Sequence, residues 1–316
     1  MKRTALALVA LLAFSVSAMA GQLTVGFAQL GAESMWRTAN TNSIKGEAEK
    51  RGVNLIFSDA QQKQENQIKA IRSFIAQEVD VIGLPPVVNT GWEPVLIEAR
   101  EAGIPVILVD RTVDTSDDSL YATFLGSNFI QEGENAGNWL VRELGCAAAA
   151  DVFELVGTVG AAPAIDRKKG FENVIANYPN INIVMSQSGD FTRAKGKEVM
   201  EAYIKSPAWA NAKNKKVIYG HNDDMVLGAI QALEEAGIDP GKECILIGVD
   251  AIADAFAAIA EGKMHCTVEC NPLLGPQFFD LAEKLVAGQP VDKITYSIEG
   301  TYDYFCAAPL LPLRQY

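Results

Sequence analysis

Residues 23–58 read LTVGFAQLGAESMWRTANTNSIKGEAEKRGVNLIFS, and their alternation decides the fold. The run 23–28 is rich in strand formers and lacks the polar alternation of a sheet wetted on one face. Residues 36–50 carry a helical pattern that stops at Gly52, a residue that enters a left-handed helix end without steric cost. A second β-rich run covers 53–58. A strand, a helix and a second strand in such close succession form a βαβ unit with parallel strands.

The unit repeats along the chain. Helices are expected over 62–77 and 92–102, with strands over 79–84 and 105–110. The rhythm restarts with a helix over 128–143. Strands over 152–156, 181–187, 216–219 and 244–249 then alternate with helices over 165–176, 193–204, 225–236 and 253–261. A strand, a helix and a strand over 264–270, 274–287 and 294–298 follow. Two successive doubly wound α/β units fit 316 residues better than one giant sheet. The closing pieces can return to the first unit, making several chain crossings that act as a hinge.

Composition narrows the class. At 49% hydrophobic and 21% charged, the chain is globular, which excludes disordered, collagenous and coiled-coil proteins. Thirty-nine acidic residues against 27 basic ones give a net charge of −12, which repels phosphate backbones and disfavours nucleic acid as a partner. Two histidines leave little scope for His-based catalysis or metal binding. Lys2 and Arg3 precede an apolar run from Ala5 to Val16 and the small-residue end Ser17-Ala18-Met19-Ala20. This is the pattern of a secretory signal peptide cleaved after Ala20, and the run is shorter than the roughly 20 residues a membrane span needs. Export lets cysteines pair. Cys146, Cys244, Cys266, Cys270 and Cys306 are odd in number, so one or two structural bridges plus a buried thiol are expected.

In open parallel sheets, ligands bind beyond the carboxyl ends of the strands. Those ends present Glu33, Ser34, Trp36 and Arg37 after the first strand and Asp110-Arg111 after the fourth. The second unit offers Asp166-Arg167, Phe191, His221 to Asp224, and Asp250. Carboxylates accept hydrogen bonds, guanidinium forks donate them, Asn does both, and Trp and Phe supply flat apolar faces. A monosaccharide has hydroxyls around its rim and C–H groups on its faces, and it suits this set.

Each piece also has a plainer reading. Asp110-Arg111 reads equally as a surface ion pair, Trp36 as a core aromatic and His265 as a structural histidine. Asp223 and Asp224 read mainly as caps at a helix start, which leaves the ligand role to Asn222. Gly157-Thr158-Val159-Gly160 lacks the third glycine and the Gly-Lys-Ser/Thr of a nucleotide loop. The sequence contains no nucleophile elbow, zinc-protease helix motif or acidic calcium loop, so no catalytic residue, metal site or cofactor is expected. Carboxylate pairs that would suit glycoside hydrolysis are numerous, and none stands out.

The segments ESMWR (33–37), DAQQKQENQIKAIRSFIAQ (59–77), PVVNTGWEPVL (86–96), LVDR (108–111), GTVGAAPAIDRKKGF (157–171), SQSGDFTRAKGKEVM (186–200), HNDDMVLGAIQA (221–232) and GVDA (248–251) stand in this order. Through them the chain, from about residue 22 to 298, resembles the periplasmic sugar-binding proteins of the ribose-binding, type I cluster, the capture components of ABC importers. It is most similar to the galactofuranose-binding members. The resemblance implies a Venus-flytrap of two lobes, each a doubly wound parallel sheet, joined by a hinge of three crossings. Residues 1–20 would be the leader, 21–126 plus 271–298 the first lobe, and 127–270 plus 299–316 the second.

The implied sugar sits between the lobes. Glu33, Ser34, Trp36, Arg37, Asp110 and Arg111 would come from the first lobe, and Arg167, Phe191, Asn222 and Asp250 from the second. Trp36 and Phe191 would sandwich the ring. Glu269 is an eleventh candidate, in a stretch where ribose-type proteins place a ligand-binding amide. Arg37 stands where those proteins carry an aromatic, which favours galactofuranose. The cysteines do not match the pair of the galactofuranose type, so no bridge is carried over. The resemblance further implies a monomeric periplasmic protein without cofactor or enzymatic activity, delivering its sugar to permease and ATPase subunits. Alternatives are the same clamp serving a chemoreceptor or sensor kinase, and an exported glycosidase or epimerase. A repressor core of this fold is excluded by the leader and by the missing helix-turn-helix start.

Overall fold

The computed structural model describes residues 22–145 and 149–316; the expected leader and Cys146 lie outside the described residues. The first series comprises β1 (Thr24–Gln29), α1 (Met35–Arg51), β2 (Asn54–Asp59), α2 (Gln64–Ala76), β3 (Val81–Leu84), α3 (Glu93–Glu101), β4 (Val106–Val109) and β5 (Thr123–Gly126). The second comprises α4 (Phe129–Leu144), β6 (Ala150–Val156), α5 (Ala162–Ile175), β7 (Ile181–Ser188), α6 (Arg193–Ile204), α7 (Pro207–Asn211), β8 (Lys215–Gly220), α8 (Asp223–Glu235), α9 (Pro240–Glu243), β9 (Cys244–Asp250), α10 (Ala253–Ala260) and β10 (Cys266–Glu269). The chain closes with α11 (Gly275–Val286), β11 (Ile294–Tyr296), β12 (Thr301–Asp303) and α12 (Ala307–Leu310).

These strands form two six-stranded sheets, ordered β2-β1-β3-β4-β5-β11 and β7-β6-β8-β9-β10-β12. Both use one doubly wound scheme, in which the order reverses beside the first strand and opens a crevice at the strand ends. Alternate residues of one strand feed two cores, because side chains on a pleated strand point to opposite faces. On β4, Val106 and Leu108 join the cluster built with Phe74, Trp92 and Leu96 of α2, α3 and the turn before it. Ile107 and Val109 join the cluster built with Ile44 of α1 and Phe278 of α11. The approach of α11 to α1 is close enough that a Cβ on Gly275 would lie 2.3 Å from the Ser43 carbonyl oxygen.

The chain passes between the sheets three times, after β5, after β10 and after β11. Two strands escape the sequence reading. β5 is four residues long and follows an irregular stretch, and β12, Thr-Tyr-Asp, has no apolar run. β12 also runs antiparallel to β10, so the second sheet is not wholly parallel as expected. The expected disulfides are corrected as well: Cys244, Cys266, Cys270 and Cys306 are all free thiols. Cys244 and Cys266 open β9 and β10 as buried core residues, where packing and not pairing fixes them.

Candidate ligand-binding cleft

The first lobe builds its half of the cleft at two strand ends. Ser34 caps α1 by accepting a hydrogen bond from the Arg37 amide at 3.1 Å. The Arg37 guanidinium donates through Nε to Glu33 Oε1 at 3.1 Å and through Nη2 to Asp110 Oδ2 at 2.5 Å. It also lies 4.6 Å from the centre of the Trp36 ring. Trp36 Nε1 donates to the Cys270 carbonyl at 2.6 Å, tying α1 to the second crossing. Arg111 Nη1 donates to the Val87 carbonyl at 3.0 Å, and its guanidinium faces Phe191 of the other lobe at 5.3 Å.

The second lobe contributes from four strand ends. Arg167 donates through Nε to Glu132 at 2.6 Å and through Nη1 to the His221 carbonyl at 2.5 Å, and its Nη2 lies 3.8 Å from Asp250. Phe191 lies over Gly157, where a Cβ would sit 2.0 Å from the ring. The glycine of the GTVG segment therefore makes room for an aromatic face. Asn222 caps α8, accepting from the Met225 amide at 3.1 Å while its Nδ2 donates to the Phe191 carbonyl at 3.0 Å. The expected caps are thereby corrected. Asp223 is buried and accepts from the Thr267 hydroxyl and the Ile252 amide. Asp224 reaches the other lobe and accepts from the Met35 amide at 2.7 Å. All three residues are good cap formers, so only the chain path separates their roles.

Ten of the eleven expected residues line one small cavity between the lobes. They are Glu33, Ser34, Trp36, Arg37, Asp110, Arg111, Arg167, Phe191, Asn222 and Asp250, joined by Pro163 and Cys270, which the sequence reading missed. Glu269 is not brought to this cavity. Its carboxylate accepts from the Gly300 amide, the Tyr302 and Tyr316 hydroxyls and Arg314, at 2.8–3.1 Å. Strand alternation turns residue 269 towards the C-terminal segment and leaves residue 270 at the cleft. That alternation is the signal that would have found Cys270.

Backbone strain gathers at the same strand ends. Asp110, Asp190, Phe191, Asp250 and Ala251 all have positive φ, from 52° to 121°. Such residues cost about 1–3 kcal/mol each and persist where the surroundings hold them.

Charge is dense and buried here. Burial, then the neighbouring Arg37 charge, pushes the Arg111 guanidinium down to about 10. Burial pushes the Asp250 carboxyl up against the opposing pull of Arg167. Burial works against the Arg167 charge too, but Glu132 and Asp250 outweigh it and hold that guanidinium protonated. Glu33 Oε2, Arg37 Nη1 and Arg111 Nε are buried without a hydrogen-bond partner among the described residues. Each such orphan costs about 1–3 kcal/mol, a penalty that a ligand carrying both donors and acceptors removes.

Two doubly wound lobes, three crossings and a polar closed cavity between them define the class. The chain belongs to the periplasmic binding protein family, whose domain model matches residues 25–290. It is 55% identical over 272 residues to the galactofuranose-binding protein YtfQ of Escherichia coli (strain K12), an alignment covering 86% of this chain and 85% of that protein. A Mycobacterium smegmatis structure in complex with β-D-fucofuranose matches with a TM-score of 0.89 at 52% identity, covering 93% of this chain and 95% of that one. The periplasmic binding component of the arabinose ABC transporter from Shewanella sp. ANA-3, bound to α- and β-L-arabinofuranose, matches with a TM-score of 0.88 at 48% identity, covering 92% and 95%.

Proposed function

We propose that the protein captures a monosaccharide in its furanose form, galactofuranose foremost, and hands it to an ABC importer. The observation that carries this reading is the set of three orphaned polar atoms, Glu33 Oε2, Arg37 Nη1 and Arg111 Nε, buried around one small cavity between the lobes. One acceptor and two donors match a ring with several hydroxyls, and Trp36 and Phe191 offer apolar faces from opposite lobes. The similar proteins named for galactofuranose, fucofuranose and arabinofuranose support a five-membered ring.

Binding proceeds without chemistry. Sugar engages one open lobe, the crossings bend, and the second lobe completes the hydrogen bonds. Contacts that require closure reward it: Met35 N to Asp224 at 2.7 Å and Asn89 N to the Gly160 carbonyl at 2.9 Å. The closed monomer docks on permease subunits, and a partner ATPase supplies the energy. The leader would be removed after Ala20 and the mature chain would act in the periplasm.

A thermal-shift screen of residues 21–316 against equilibrated galactose, arabinose, ribose and glucose tests the reading. Ligand at 100 times its Kd adds about 2.7 kcal/mol. A rise with galactose or arabinose above the others supports it. No rise with any sugar, or product formation from a galactofuranoside, overturns it.

A further inference from the structure

Where the crossings meet, at the wall of the ligand cavity that Cys270 lines, Glu132 of α4, Cys270 of the second crossing and Glu299 of the third each bring one atom within 4.8 Å of the other two. We infer that these three residues form a binding site for a thiophilic divalent cation of the zinc class. Cys270 belongs to both this group and the lining of the ligand cavity, and Glu132 holds Arg167 of that lining.

Each carboxylate has one oxygen anchored and one left over. Glu132 Oε2 accepts from Arg167 at 2.6 Å, while Glu132 Oε1 is buried with no partner among the described residues, on a side chain only 2% exposed. Glu299 Oε1 accepts from Ser127 at 2.5 Å, from Ser297 at 2.7 Å and from the Asn271 amide at 2.9 Å. Those donors come from all three crossings and leave Oε2 unengaged by them. Hydrogen bonds that anchor a carboxylate are how outer partners orient metal ligands. The Cys270 sulfur lies 3.3 Å from the Ser127 hydroxyl in the same knot.

A sulfur with two carboxylates suits zinc or cadmium, whereas magnesium and calcium require six or more oxygens. Zinc bonds of about 2.0–2.3 Å put tetrahedral ligand atoms roughly 3.3–3.8 Å apart, so side-chain movements of about 1 Å complete the site. Three protein ligands leave the fourth position to water.

The test is a titration of chelator-treated mature protein with Cd²⁺, read by the ultraviolet thiolate-to-cadmium charge-transfer absorption, with Zn²⁺ as competitor. One equivalent should saturate the signal, and zinc should displace it. Cys270→Ser should abolish the absorption, and Glu132→Gln and Glu299→Gln should each weaken binding at least tenfold. Circular dichroism reports whether each variant folds; should Cys270→Ser fail to fold, the two glutamine variants decide. Absence of a saturable signal, its persistence at full size in folded Cys270→Ser, or unchanged affinity in both glutamine variants overturns the inference.

Discussion

Replacing Arg111 with alanine tests the cleft at the point where both lobes depend on one side chain. In the wild type, Arg111 Nη1 is held by the Val87 carbonyl at 3.0 Å and Nε is left without a partner in the buried cavity. The variant loses a charge-assisted hydrogen bond to the ligand, worth about 1.5–3 kcal/mol. It also loses the contact with Phe191 across the cleft at 5.3 Å, worth about 0.5–2 kcal/mol for a desolvated cation. Together these are about 2–5 kcal/mol, or a Kd roughly 30- to 4,000-fold weaker. The fold itself should tolerate the change. Burial already works against the Arg111 charge, and its carboxylate neighbours Glu33 and Asp110 stand off at 3.8 and 3.6 Å. Isothermal titration with the sugar selected by thermal shift, beside a melting curve of the unliganded variant, measures both quantities. A Kd within about threefold of wild type, under about 0.7 kcal/mol, refutes the placement of Arg111 against the ligand.

Other consequences follow from individual contacts. Gly157→Ala puts a Cβ where the Phe191 ring lies, at 2.0 Å, so sugar affinity should fall by at least tenfold even when ligand-free melting changes little; unaltered affinity would show that Phe191 is not the ring's platform. Asp224→Ala removes the interlobe bond to the Met35 amide without touching the cavity, and should weaken sugar binding about tenfold while small-angle scattering shows a more open liganded ensemble; wild-type scattering and affinity together would refute the latch. Burial would raise the Glu154 carboxyl, but hydrogen bonds and charge from His221, Lys168 and Ser186 hold it at about 2, below its ordinary 4.5. A depressed acid contributes stability that is present above about pH 4.5 and lost as pH falls towards 2, here about 3 kcal/mol. Chemical denaturation of Glu154→Gln should therefore show a flatter acid limb than wild type, and parallel limbs would contradict this origin.

Much of the architecture was legible because the signals are local. Four- to seven-residue apolar runs bounded by turn residues fit strands of a covered parallel sheet. The helix over 193–204 coincides with Arg193–Ile204 because capping by Thr192 and the helical pattern are both written nearby in the chain. The clustering of ten candidate residues around one cavity follows from a rule of topology: parallel strands deliver their carboxyl ends to a common edge, so loops far apart in sequence meet there.

Three-dimensional structure alone decided matters that depend on chain path. Nothing in Glu269-Cys270 says which side chain turns to the cleft; the pleat of β10 and the returning Arg314 and Tyr316 claim the glutamate. Nothing near Asp224 reveals a partner 189 residues away at Met35. Nor does the sequence show that Glu299 collects donors from three separate crossings, or that the four described cysteines remain apart as thiols. Periodicity states how a residue faces its own element. Whether two faces then meet is set by long-range packing, and local sequence carries no record of that.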